Sequence, residues 1–170
     1  MAARRRAVAI VRAVKVFLDI DGVLLGADRD KPHRAALADH ALTLLAFALE
    51  RADVHWLTPL GRGDARAAVD HLVRHAKLSD RERLMGLAAR VRPVAFAACR
   101  TEALPADGRF VWLDDGPSAS ELQVLRQRGW LDRWLWVDTR EEPEDLLRAR
   151  DWLAKRLDRG TGMAAGAANG

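Results

Sequence analysis

Apolar and polar positions alternate in blocks along the chain, and the blocks predict elements. Val14 to Ile20 is a short apolar run rich in β-branched residues and reads as a buried strand, ended by the turn signal Asp21-Gly22. Gly26 to Pro32 is polar and reads as loop. From His33 to Ala52, apolar residues recur at helical spacing, with Leu37, Ala41, Leu44, Leu45 and Ala48 on one face. Val54 to Leu57 reads as a second strand, followed by a turn over Thr58-Pro59-Leu60-Gly61-Arg62-Gly63. Asp64 is suited to cap a helix reaching about Lys77. Ser79 and Glu82 fit a capping box for another helix to about Arg90. A third strand lies within Arg92 to Ala98, and a fourth over Phe110 to Leu113, ending in Asp114-Asp115-Gly116. Ser118 or Ser120 starts a short helix to Arg128, and Trp134 to Val137 is a fifth strand. The last helix is expected from about Glu142 to Asp158, with Pro143 in its first turn and Gly160 beyond its end.

Strands alternate with helices throughout, which predicts a parallel sheet covered on both faces. The expected fold is α/β: a three-layer α/β/α, Rossmann-like domain with about five parallel strands. Residues 1–13 read as a basic lead, 14–158 as the domain, and 159–170 as a disordered Ala/Gly-rich tail. Thirty-nine positions separate Asp19 from Thr58 and fifty-six separate Thr58 from Asp114, and predicted elements fill much of both intervals. No large cap domain fits into either.

Composition changes this picture little. A chain of 170 residues suits one domain, and 49% hydrophobic content is ordinary for a globular protein. The single cysteine, Cys99, rules out an internal disulfide and points to a reducing compartment. The start, Met1 to Arg6, is basic and Ala7 to Val14 fairly apolar, but Arg12 interrupts that stretch as a signal segment would not allow. No apolar run approaches the roughly 20 residues of a membrane span, so a cytoplasmic protein with no membrane partner is expected. The net charge of +4 admits a polyanionic partner. Acids and arginines are interspersed, however, so nucleic acid is not the favoured partner.

The polar residues at the strand ends carry the chemistry. In an open parallel sheet, ligands bind beyond the carboxyl ends of the strands. There the first strand presents Asp19-Ile20-Asp21-Gly22, the second Thr58, and the fourth Asp114-Asp115. Asp is rarely buried unless paired or bound to metal. Carboxylates gathered at one edge repel one another, and a hard divalent cation such as Mg2+ relieves the repulsion. Asp19 and Asp21 lie two apart and would point to the same face of an ideal strand, so one can attack while the other manages a proton.

The run Lys15-Val16-Phe17-Leu18-Asp19-Ile20-Asp21-Gly22-Val23-Leu24 resembles the first motif of the haloacid dehalogenase (HAD) superfamily, a hydrophobic strand followed by Asp-x-Asp-Gly-Thr/Val. His55-Trp56-Leu57-Thr58 resembles its second motif and Val111-Trp112-Leu113-Asp114-Asp115 its fourth. The resemblance implies a small capless Mg2+-dependent phosphatase. Asp19 would be the nucleophile that forms an aspartyl-phosphate, and Asp21 the acid and then the base. Thr58 would bind phosphoryl oxygens. Mg2+ would be held by the Asp19 carboxylate, the Asp21 backbone carbonyl, and Asp114 or Asp115. The third motif departs from the pattern. Its usual Lys is missing, and Arg100, after the third strand, is favoured over Lys77 as the substitute, although Arg and Lys are not equivalent.

The resemblance leaves the substrate open between small phosphoesters and phosphorylated macromolecules. Two rival readings remain: a catalytically weak module that binds a phosphorylated ligand or protein, motivated by Arg100, and a nucleic-acid end-processing phosphatase, motivated by the basic balance. His71 and His75, four apart, read as a solvated helix face, and Cys99 as a buried small residue. Trp130, Trp134, Trp136 and Trp152 read as packing residues, with a stacking platform for bases and a homo-oligomeric surface as the alternatives.

Overall fold

The computed structural model describes residues 14–166, with backbone alone at 61, 62 and 159–166. The expected basic lead at 1–13 and the last four residues of the expected tail lie outside the described residues.

Five parallel strands form the sheet. They are β1 (Lys15–Leu18), β4 (Asp53–Trp56), β5 (Arg92–Pro93), β6 (Phe110–Asp114) and β7 (Trp134–Trp136), in the order β5-β4-β1-β6-β7. A separate antiparallel hairpin, β2 (Leu25–Ala27) with β3 (Ala35–Leu37), follows β1. The helices are α1 (Ala41–Arg51), α2 (Ala65–His75), α3 (Leu78–Ala88), α4 (Ala119–Gln127) and α5 (Asp145–Gly166). This is the expected three-layer α/β/α arrangement, and the described residues include no large cap domain. Among the described residues, no helix is long and apolar enough to cross a membrane.

The central strand explains why the run around Val16 is continuously apolar. Strands of a parallel sheet are covered on both faces, so both side-chain sets must be buried. Val16 and Leu18 pair with Val54 and Trp56 on one side and with Val111 and Leu113 on the other. These six residues join one core cluster, which α1, α2, α3 and α5 complete with Leu44, Leu72, Leu84 and Leu153. Phe17, Phe110 and Trp112 point to the opposite face, where Leu104, Leu125 of α4 and Trp130 cover them. His55 takes part there as an aromatic, stacked on Phe17 at 5.1 Å.

Several boundaries differ from the sequence expectation. The helix expected from His33 begins only at Ala41, and Leu37, counted on its apolar face, belongs to β3. His40 caps α1 in the left-handed conformation, at φ 65°, which breaks any helix running through it. Gly26 and Ala27, expected as loop, belong to β2. Three-residue strands are too short for alternation to reveal them. Ser79 is not a cap. The cap position of α3 is Lys77, with no side-chain bond, and the Ser79 hydroxyl donates to Asp80 at 3.3 Å. The third strand is only Arg92–Pro93, because proline offers no N–H to a ladder and suits an edge strand. Pro143 precedes α5, and the helix continues through Gly160 to Gly166 rather than ending near Asp158. Glycine weakens a helix interior without forbidding it. The expected helix starts at Asp64 and Ser118 match the structure, where each side chain accepts a bond from its own first turn.

Candidate active site

The carboxyl end of β1 sits between those of β4 and β6. The Asp19 N–H donates to the Leu113 carbonyl at 3.1 Å, and the Leu57 N–H donates to the Leu18 carbonyl at 2.8 Å. The register therefore brings Asp19, Thr58 and Asp114 to one edge of the sheet. All three are buried, and Asp114 completely so.

Beyond Asp19 the chain turns sharply. The N–H groups of Leu24 and Leu25 both donate to the Ile20 carbonyl at 2.9 Å. Gly22 lies at φ 78°, and a Cβ there would collide with the Asp115 carboxylate and the Arg140 guanidinium. Thr139 clamps this turn from beyond β7. Its hydroxyl lies 3.1 Å from the carbonyls of both Gly22 and Val23, and its N–H donates to the Gly22 carbonyl at 2.8 Å. No motif in the sequence marks Thr139.

Arg100 is the hub. It follows the short edge strand, where a 3-10 turn over Arg100–Ala103 aims it inward. Nη1 donates to Asp19 Oδ2 at 3.1 Å and to Asp114 Oδ2, while Nη2 reaches Asp114 Oδ1 at 3.4 Å. The guanidinium also lies over the Trp112 ring, 5.0 Å from its centroid. Glu121 holds it from behind, accepting from Arg100 N at 2.9 Å, Nε at 3.0 Å and Nη2 at 3.1 Å. Glu121 also closes the capping box of α4 by accepting the Ser118 N–H at 2.8 Å. Glu121 is absent from the sequence-based site, although the Ser118-x-x-Glu121 spacing was legible. Lys77, the other candidate cation, is exposed and borders a cavity of about 660 Å3 that no site carboxylate lines.

The remaining candidates are each engaged. Asp114 Oδ1 accepts the Gly116 N–H at 2.9 Å. Asp115 pairs with Arg140, which also holds Asp138 at 3.2 Å. The Thr58 hydroxyl accepts weakly from the Leu60 N–H at 3.4 Å. Asp21 is the exposed member, with 55% of its side chain open, and His71 donates to its Oδ1 at 2.8 Å. His71 and His75 are therefore not a free solvated face. Their rings meet edge to face at 5.1 Å, and His75 Nδ1 bonds the Ala35 carbonyl at 3.1 Å. A cleft of about 410 Å3 opens at Asp21, bordered by Gly22, Pro32, His33, Arg34 and Arg140.

Burial sets the electrostatics. Asp19 is pushed up to about 8, by burial first and then by the neighbouring Asp114 charge, against the pull of Arg100. Burial also raises Asp114. Burial acts upward on Glu121 too, but its bonds from Arg100 and Ser118 hold it below the ordinary carboxylate value. One ligand oxygen each from Asp19, Asp114 and Asp115 lies within 4.8 Å of the others, a spacing that a cation can bridge.

A scan against protein-family models finds no matching family, and searches of curated proteins and of solved structures find no match to this chain.

Proposed function

We propose that the protein is a Mg2+-dependent phosphomonoester hydrolase of the HAD type, acting through an aspartyl-phosphate on Asp19. The observation that carries this reading is the buried Asp19 carboxylate at the end of the central strand, bridged by Arg100 to Asp114. A nucleophilic carboxylate must meet an anionic phosphate, so cationic charge must be fixed beside it. Arg100 supplies part of that charge.

The donor set fits a divalent cation. Asp115 is balanced by Arg140, which leaves Asp19, Asp114 and Glu121 facing the single charge of Arg100. With all three ionised, two negative charges would be left over, the repulsion that helps push Asp19 up to about 8, and all the offered ligands are hard oxygens, as Mg2+ requires. Asp19 and Asp114 or Asp115, with the Asp21 backbone carbonyl, would hold the ion. When bound, it neutralises the carboxylates and the incoming phosphate.

The residues divide the work. An Asp19 carboxylate oxygen attacks phosphorus, and the ester oxygen leaves with a proton from Asp21. Water then attacks the aspartyl-phosphate while Asp21 takes its proton, which releases phosphate and restores Asp19. Arg100 and the Thr58 hydroxyl donate to phosphoryl oxygens. The test is hydrolysis of an aryl phosphate with and without Mg2+, for wild type and Asp19→Asn. Mg2+-dependent turnover, lost in the variant, is expected. Undiminished turnover in Asp19→Asn overturns the assignment.

One observation favours a second reading, a phosphatase acting on nucleic-acid ends. Arg34, Arg74, Lys77 and Arg83 line one cavity, and Arg34 also borders the cleft at Asp21. Asp28, Asp39 and Asp80 line the same cavity, but these four cations have no ion pair among the described residues, and cations of that kind suit a polyanionic strand. Affinity for an oligonucleotide that falls steeply with salt distinguishes this reading.

A further inference from the structure

The pairing of Asp21 with His71 has no counterpart in the sequence motifs. We infer that His71 is a positioning residue that holds Asp21 in the one orientation from which it can deliver a proton to the leaving group. The inference rests on the phosphatase reading above.

Asp21 needs such support. It stands past the end of β1, next to the sharp Gly22 turn, and is the most open carboxylate of the site. An exposed aspartate samples several rotamers and loses catalytic efficiency as it does so, because a general acid acts only within hydrogen-bond reach of the departing oxygen. His71 removes this freedom. Its Nε2 lies 2.8 Å from Asp21 Oδ1, which leaves Oδ2 for the substrate.

His71 is itself held in place. It lies on α2, whose register is set by the buried Ala68 and Leu72 and by the Asp64 cap. The His75 ring packs edge-on against it at 5.1 Å. His75 is tied at Nδ1 to the Ala35 carbonyl of β3, and a carbonyl only accepts, so that nitrogen carries the hydrogen. A continuous line thus runs from the hairpin through His75 and His71 to Asp21. By the same logic the Asp21 carboxylate selects the Nε2–H form of His71.

The experiment is a steady-state series of phosphate monoesters whose leaving groups rise in pKa, from nitrophenyl through phenyl to alkyl. It is run on wild type, His71→Ala, His71→Gln and Asp21→Asn. A good leaving group needs no proton, and kcat/KM ends at the aspartyl-phosphate, so the series read in kcat/KM isolates the acid work of Asp21 from its later work as a base. His71→Ala is expected to match wild type in kcat/KM on the nitrophenyl ester and to lose kcat/KM progressively along the series, by about tenfold or more at the alkyl end. His71→Gln, which keeps a donor at the same reach, is expected to recover most of that loss. A loss of kcat/KM in His71→Ala that is uniform along the series overturns the inference, as does no loss at all. Asp21→Asn should show the same trend more steeply. If it shows none, the acid role of Asp21 fails, and with it the phosphatase assignment rather than the pairing.

The pairing is also read without turnover. The ring nitrogen shifts of His71 should report an Nε2-protonated imidazole in wild type and change in Asp21→Ala. Identical shifts in the two proteins overturn the contact.

Discussion

At the scale of single residues, the site is a set of charges that tolerate one another only because of Arg100. Its guanidinium serves three carboxylates at once through five bonds, and an ammonium group, with three donors on one atom, lacks the span to replace it. Arg100→Lys is therefore expected to destabilise the protein by roughly 1–3 kcal/mol, because buried Glu121 loses its side-chain partner. Adding Glu121→Gln should recover much of that loss. Urea unfolding of the two single variants and the double variant measures the coupling, and simple additivity would show that the two side chains act independently. His55 carries a second expectation. It is buried against Phe17, and neither ring nitrogen has a hydrogen-bond partner among the described residues. Burial, aided by the charge of Lys15, lowers its pKa from 6.5. A depressed pKa contributes stability that is present above pH 6.5 and is lost as pH falls through the folded value. Thermal melts of wild type should thus drop between pH 7.5 and 5, and His55→Leu should drop less. Asp19, Asp21, Thr58, Arg100 and the Asp114-Asp115 pair were all readable, because strand ends and turn signals are local. Glu121, His71, Arg140 and Thr139 were not, because each owes its role to a contact across at least 20 positions of sequence, such as Thr139 on Gly22.

At the scale of elements, α4 is where architecture and chemistry share a residue. Ser118 caps the helix, and Glu121 answers from its first turn while gripping Arg100. Ser118→Ala is expected to cost about 1 kcal/mol, or roughly 2–4 °C in Tm for a chain of this size. It should also weaken turnover, because Glu121 loses the hydroxyl that accepts from its own N–H. A melt and a kcat measured on one preparation check both, and a lower Tm with unchanged kcat would separate the cap from the clamp. The five sheet strands and the two capped helix starts followed from periodicity and capping chemistry. The hairpin did not, since β2 and β3 have three residues each and their pairing is set by the turn between them. The same gap in the reading hid the true start of α1, whose cap is a left-handed histidine rather than any residue with a capping side chain.

At the scale of the whole molecule, a cation held by the acids of the carboxyl edge, as proposed, would link its binding to stability. A ligand that binds only the folded state stabilises by mass action, by about 2.7 kcal/mol at a hundredfold excess over its Kd. Mg2+ is therefore expected to raise Tm by several degrees, and Asp114→Asn should abolish most of the shift without unfolding the protein. Calorimetry with and without Mg2+ decides this, and an equal shift in the variant would remove Asp114 from the cation site. The topology has a consequence for synthesis. The central strand needs β4 and then β6, both from later in the chain, and the turn that carries Asp21 is clamped by Thr139. A chain emerging from the ribosome thus displays the strand that leads to Asp19 long before it owns Arg100, the Asp114–Asp115 pair or Thr139. Until β6 is made the sheet has one open flank, so the carboxyl edge is assembled only once Arg100, Asp114 and Thr139 have all followed the first strand out.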